Sequence, residues 1–169
     1  MNIFLLGFMG SGKSSLGRRI ANKLGRDFVD LDELIEEKEG KSITEIFSEK
    51  GESYFREIET KTLNDLISEL ECVVSLGGGA PCSELNLSFI GSNGMSIYIK
   101  EPEDILFGRL RDKKQDRPLI ADLSDDQLKQ FITDKLSKRE KFYTKADFTY
   151  EKSKTSWPFL ITQIEHYLK

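Results

Sequence analysis

Gly7-Phe-Met-Gly-Ser-Gly12-Lys13-Ser14 reads G-x-x-x-x-G-K-S, and no other stretch of the chain constrains its fold as tightly. The pattern has meaning only where a strand ends and a helix begins. Ile3 to Leu6 supplies a short apolar strand before it, and a helical apolar pattern runs from Lys13 to Leu24 after it. Glycines there let backbone N–H groups turn inward around phosphate oxygens, and the start of the helix adds partial positive charge. Lys13 can reach the outer phosphates of a nucleotide, and the Ser14 hydroxyl suits Mg²⁺. Gly10, Ser11, Gly12, Lys13, Ser14 and Ser15 are therefore the candidate nucleotide contacts.

The rest of the chain alternates in type. Phe28-Val29 begins a second strand. Ser42-Ile-Thr-Glu45 has capping-box spacing and predicts a helix to about Lys50. A second helical pattern covers Glu52 to Leu70. Cys72 to Leu76 reads as a buried strand ending in Gly77-Gly78-Gly79, and Met95 to Ile99 as another. Pro102 is expected in the first turn of the next helix. Ser124-Asp-Asp-Gln127 predicts a capped helix to about Tyr143, Phe148 to Tyr150 a last strand, and Ser156-Trp-Pro158 the start of a C-terminal helix. Short apolar strands alternating with helices mean a parallel sheet covered on both faces. The expected class is α/β: three layers, about five parallel strands, one domain over residues 1–169. Asp112 to Asp126, DKKQDRPLIADLSDD, is neither core nor regular. It is either a solvated loop or an active-site lid, the use long loops of compact domains often serve.

Charge and composition exclude several classes. The 169 residues carry 25 Lys+Arg and 29 Asp+Glu, a net charge of −4, which disfavours a general nucleic-acid binder. No apolar run approaches a membrane span. The opening MNIFLLGFMG lacks the basic region of a secretion signal. Cys72 and Cys82 cannot build a disulfide framework. A cytoplasmic protein without membrane or nucleic-acid partners is expected, as a monomer.

The nucleotide chemistry narrows further. No D-x-x-G of a GTPase occurs, and the strand Cys72 to Leu76 ends in Ser75-Leu76-Gly77 instead of the acidic residue a motor ATPase wants. A small-molecule kinase needs only the loop, a metal-positioning carboxylate, an acceptor pocket and a lid. Asp30 and Asp32 follow the second strand two residues apart, so both carboxylates can face the ligand crevice. Asp30 suits Mg²⁺ positioning and Asp32 an acceptor hydroxyl, although Asp32 could equally cap the helix that follows. Arg56 and Glu59 have i,i+3 spacing and form either an exposed helix pair or a held guanidinium. Gly77 to Gly79 permit close backbone approach to a ligand. Arg117 and Arg139, taken alone, are either solvated or aimed at a ligand. Phe47 and Phe55 read as core, Cys72 as a buried apolar residue and His166 as surface.

In order, Gly7 to Ser14, Asp30-x-Asp32, Phe55-Arg56 with Glu59, Gly77-Gly78-Gly79-Ala80, Arg117-Pro118-Leu119 and Arg139-x-x-x-Tyr143-x-x-x-Asp147 resemble the shikimate kinase family over nearly the whole chain. The resemblance implies a P-loop kinase with a lid, built like the nucleoside monophosphate kinases. It implies transfer of the ATP γ-phosphoryl to the 3-hydroxyl of shikimate, with Mg²⁺, in aromatic amino-acid biosynthesis. By the match, Lys13, Asp32 and Arg117 are catalytic, and Ser14 and Asp30 serve the metal. Asp32, Arg56, Gly78, Gly79 and Arg139 bind shikimate, and Arg117 reaches the phosphates from the lid. Arg109 or Arg111, with the loop near Lys154 to Ser156, flanks adenine. A kinase for another hydroxy acid such as gluconate, and a nucleotide-binding module without catalysis, are the competing readings.

Overall fold

The structure, a computed structural model, describes residues 1–66, 71–114 and 119–169. Its centre is a sheet of five parallel strands in the order β2-β3-β1-β4-β5. The strands are β1 (Asn2–Leu6), β2 (Asp27–Asp30), β3 (Cys72–Ser75), β4 (Gly94–Lys100) and β5 (Phe148–Glu151). All five residues of β1 are buried because side chains alternate between two covered faces. Phe4 and Leu6 join one core, with Val74, Leu106, Leu128, Ile132 and Tyr143. Ile3 and Leu5 join the other, with Ile20, Val73, Ile97, Leu160 and Ile164. Helices α1 (Lys13–Leu24) and α7 (Trp157–Tyr167) cover the second face. The first is covered by α2 (Leu31–Glu39), α3 (Ile43–Asp65), α4 (Glu84–Asn93), α5 (Glu103–Asp112) and α6 (Asp125–Tyr143). The three-layer α/β expectation is met. Among the described residues no helix is long and apolar enough to cross a membrane.

Register positions the site. Leu5 of β1 and Asp30 of β2 both pair with Ser75 of β3, so the three strands end at one level. β1 is flanked by β3 on one side and β4 on the other, which makes its carboxyl end the point where ligand crevices of open α/β sheets form.

The helix boundaries follow local chemistry, with three departures from expectation. Both capping boxes form: Ser42 with Glu45, and Ser124 with Gln127. The helix expected from Ser42 to about Lys50 and the one expected from Glu52 meet as foreseen at Gly51, whose φ of 80° lies outside helical space; the end expected at Leu70 lies outside the described residues. Pro102 sits at the N-cap of α5 and not in its first turn, since its ψ of 149° is extended while its carbonyl already accepts the Leu106 N–H. α2 starts directly at the end of β2, capped by Asp30 and not Asp32: the Asp30 side chain accepts the Asp32 N–H at 3.2 Å. α4 was not anticipated. Its apolar residues make no single stripe, with Ile90 buried but Leu85 79% exposed. Within the expected lid, Ile120 is fully buried in the first core while Leu119 is exposed.

Gly17 is where α1 comes closest to the sheet. A methyl group there would lie 2.4 Å from the Phe28 ring and 2.9 Å from Leu5. Gly17→Ala is expected to destabilise the fold by about 1–3 kcal/mol, the scale of overpacking a dense core, despite alanine's better helix propensity. Chemical denaturation checks this.

Candidate active site

The loop Gly7 to Gly12 joins β1 to α1, and its glycines are structural requirements. Gly10 and Gly12 have φ of 79° and 92°, left-handed values that side chains resist. Gly12 is the N-cap of α1, and no side chain caps that helix start. Its first N–H groups are thus the kind of donors an anion can satisfy. Lys13 folds back over the loop, donating from Nζ to the carbonyls of Gly7 at 2.9 Å and Phe8 at 3.0 Å. A cleft of about 700 Å³ opens here, lined among others by Gly10, Ser11, Gly12, Lys13, Ser14, Ser15, Asp30, Asp32, Ser75 and Gly78. The Ser11 hydroxyl is buried and has no hydrogen-bond partner among the described residues.

Asp30 and Asp32 enter the cleft from the end of β2. Ser14 Oγ donates to Asp30 Oδ2 at 2.6 Å, and Ser75 Oγ lies 3.5 Å from Ser14 Oγ. This is a small set of hard oxygen donors with one carboxylate. It fits Mg²⁺, which keeps most of its shell for waters and phosphate oxygens and needs few protein ligands. Asp32 has a different environment. Burial pushes its carboxyl up to about 6, repulsion from Asp30 adds to the rise, and Lys13 and Arg56 oppose it. Such a carboxyl is ionised at neutral pH yet more basic than an ordinary one.

Four charged side chains meet at the glycines that follow β3. A methyl group on Gly77 would lie 2.6 Å from Asp32 Oδ1 and 2.8 Å from Glu59 Oε1. One on Gly78 would lie 3.2 Å from Arg139 Nη1, and one on Gly79 2.6 Å from both terminal nitrogens of Arg56. Arg56 comes from α3 and Arg139 from α6, so the turn brings together cations that are remote in sequence. Arg56 is held by Glu59 at 2.7 Å and more loosely by exposed Glu52 at 3.3 Å. Glu59 is only 1% exposed, and burial raises its carboxyl above the ordinary range. Its Oε1 has no partner among the described residues. Arg139 sits over the Phe8 ring at 5.7 Å. Phe47 and Phe55 stack at 4.7 Å beside Arg56.

At the far end of the cleft, Arg109 donates to the Gly10 carbonyl at 3.0 Å and to Glu101 at 3.2 Å. Arg109 and Lys152 line the cleft; Arg111 and Lys154 are not among its lining residues. Lys154 instead pairs with Glu151 at 2.7 Å and is largely exposed. Arg117, with Pro118, lies outside the described residues.

The arrangement can bind a phosphate chain at the α1 start, a divalent cation beside it and an acid bearing a hydroxyl at the glycine turn. Sequence reasoning overlooked Ser75 and Glu101 as parts of the cleft and Glu59 as a buried group. A serine closing an otherwise apolar strand was the available signal for Ser75. For Glu59 there was none, because i,i+3 ion pairs are ordinary on exposed helices.

Comparison with known proteins agrees with this geometry. The family model described as shikimate kinase matches residues 9–169. Shikimate kinase of Bacteroides thetaiotaomicron is 43% identical over 150 residues, 89% of this chain and 86% of that protein. A solved shikimate kinase structure from the same organism superposes with a TM-score of 0.89 at 38% identity, covering 99% of this chain and 98% of that one. The Acinetobacter baumannii shikimate kinase solved in complex with shikimate gives a TM-score of 0.86 at 35% identity, covering 99% and 92%.

Gly79→Ala tests the close approach directly. The methyl displaces only the tip of a flexible side chain, so the protein is expected to fold with stability within about 1 kcal/mol of the parent. The Arg56 guanidinium should lose its place, weakening binding of a carboxylic-acid ligand about tenfold or more while nucleotide affinity is retained. Calorimetric titration of both ligands checks this.

Proposed function

The chain belongs to the shikimate kinase family, and we propose that it transfers the γ-phosphoryl of ATP to the 3-hydroxyl of shikimate, giving shikimate 3-phosphate and ADP for aromatic amino-acid synthesis. The observation that carries this reading is the meeting of Asp32, Arg56 and Arg139 at the turn Gly77–Gly79. A planar carboxylate is best held by guanidinium forks, and a hydroxyl nucleophile needs one carboxylate nearby. Arg56 and Arg139 take the shikimate carboxylate, with the backbone of Gly78 and Gly79 lining the pocket. Asp32 orients the 3-hydroxyl and accepts its proton as the new P–O bond forms.

The nucleotide side works by position and charge. The N–H groups at the start of α1 and the loop around Gly10 to Ser15 receive the phosphates, and Lys13 neutralises charge on the outer ones. Mg²⁺, held by Ser14 and Asp30, supplies charge neutralisation on the phosphate oxygens when bound. Arg117 is assigned to the phosphates by the family resemblance alone.

The direct test is ADP release with Mg·ATP, with and without shikimate. Shikimate-dependent release is expected. Release that is equal with gluconate, or independent of any acceptor, would overturn the reading.

The raised pKa of Asp32 gives two further outcomes. The kcat/KM for shikimate should fall as pH drops through about 6, where Asp32 of the free protein takes up a proton, instead of holding to about 4 as for an ordinary carboxylate. A rate profile between pH 5 and 8 checks this. Asp32→Asn should lower turnover by a factor on the order of 10²–10⁴. Its effect on stability has a definite sign. The folded protein binds this proton more tightly than the unfolded chain, so Asp32 opposes folding increasingly as pH rises from 3.8 through about 6. At pH 8 the Asn variant should therefore melt at the same temperature as the parent or higher.

A further inference from the structure

We propose that Tyr143 is a positioning residue for acceptor binding: its hydroxyl fixes the peptide plane between Gly78 and Gly79 and so directs the Gly79 N–H. The inference rests on the reading of this turn as the acceptor pocket and adds a residue to it.

Residues 77 to 80 form a tight turn closed by the Ala80 N–H on the Gly77 carbonyl at 3.1 Å. Gly78 and Gly79 are its two central residues. Gly79 has φ −99° and ψ −18°, near the second central position of a type I turn, and Gly78 has no positive φ. Types I and II differ chiefly by a half-turn of the central peptide, and type II requires positive φ at the second central residue. Any side chain at position 79 would resist that. Glycine does not, so the chain itself leaves both orientations open.

Tyr143 supplies the choice. Its hydroxyl donates to the Gly78 carbonyl at 2.5 Å, 65 residues away in sequence. The Cys82 thiol lies 3.8 Å from the same oxygen. The peptide is trans and planar, so the Gly78 C=O and the Gly79 N–H point in opposite directions. Holding the oxygen against α6 turns the N–H to the other side of the turn. Among the described residues that N–H has no acceptor, which leaves it as a donor for a ligand.

Tyr143 is well placed to hold a fixed orientation. It is fully buried, and its ring packs against that of Tyr98 with centroids 5.2 Å apart. Burial also raises the phenol well above its ordinary range, so it remains a donor at any working pH. Arg139 lies one helical turn earlier on the same face of α6, beside Gly78. Tyr143 and Arg139 thus reach the turn side by side from one helix face, the hydroxyl at the Gly78 carbonyl and the guanidinium beside Gly78.

The experiment compares Tyr143→Phe with Tyr98→Phe. Each removes one hydroxyl from the same buried ring pair, but only the first touches the Gly78 carbonyl. Tyr143→Phe is expected to raise the shikimate KM about tenfold, the equivalent of about 1.4 kcal/mol, with the ATP KM unchanged within about twofold. Tyr98→Phe should leave both constants at parental values. A parental shikimate KM in Tyr143→Phe, or equal losses in the two variants, overturns the positioning role while the kinase reading stands. If the unaltered protein shows no shikimate-dependent ADP release, both readings fall. A second measurement needs no variant. The Tyr143 hydroxyl proton of the unaltered protein should exchange slowly with water in NMR spectra, and rapid exchange would overturn the proposal even if the variant does not fold.

Discussion

Space at the end of β3 is the constraint on which the acceptor half of the site depends. Asp32, Glu59, Arg139 and Arg56 occupy the volumes that side chains at Gly77, Gly78 and Gly79 would fill. Three β-carbons there would push apart the Asp32 carboxylate and the two guanidinium groups to which the proposed function gives the acceptor hydroxyl and acid. Sheet register decides that this gap opens beside the phosphate loop, because Leu5 and Asp30 both pair with Ser75. Strand pairing thus sets the phosphate loop beside the glycine turn, to which the helices α3 and α6 deliver one arginine each.

Electrostatics in the cleft is a balance of buried charges. Lys13 and Arg56 lower the Asp32 carboxyl, while burial and Asp30 raise it, and the rise wins. Asp30 has a double duty: it accepts from Ser14 and caps α2 through the Asp32 N–H. Two carboxylates two residues apart therefore reach different chemistry, one suited to a metal and one to a proton. Glu59 adds a third buried acid, held against Arg56 and otherwise unpartnered at Oε1. Each cation on the side that binds charge meets a carbonyl, a carboxylate or a ring: Lys13 the Gly7 and Phe8 carbonyls, Arg56 Glu59, and Arg139 Phe8.

Much of this was legible in the residues. The loop Gly7 to Ser14 announced its strand and its helix, and Ser42 and Ser124 marked helix starts by their own hydrogen bonds. Parallel topology followed from strands with no polar face. What escaped the sequence was whatever depends on tertiary approach. Whether Asp30 or Asp32 caps α2 turns on a ψ angle at the end of β2. The helix α4 shows no clean apolar stripe, since Ile90 is buried and Leu87 and Phe89 are half-buried while Leu85 is exposed. Glu59 looks like one half of an exposed pair until α3 is packed on the core. Tyr143 is core, and nothing in the sequence showed that its hydroxyl meets the Gly78 carbonyl. Nothing in the sequence favoured Lys152 over Lys154 at the cleft edge, because that choice depends on where β5 ends.

The central claim is that this turn recognises an acid and a hydroxyl together. Calorimetric titration with shikimate and with its methyl ester, in the presence of a non-hydrolysable ATP analogue, tests it most directly. The ester keeps the ring and its hydroxyls and loses only the charge that Arg56 and Arg139 are placed to hold. The account predicts that the ester binds at least about a hundredfold more weakly, roughly 2.7 kcal/mol, the scale of a desolvated charge pair left half empty. Equal affinity for acid and ester would contradict it.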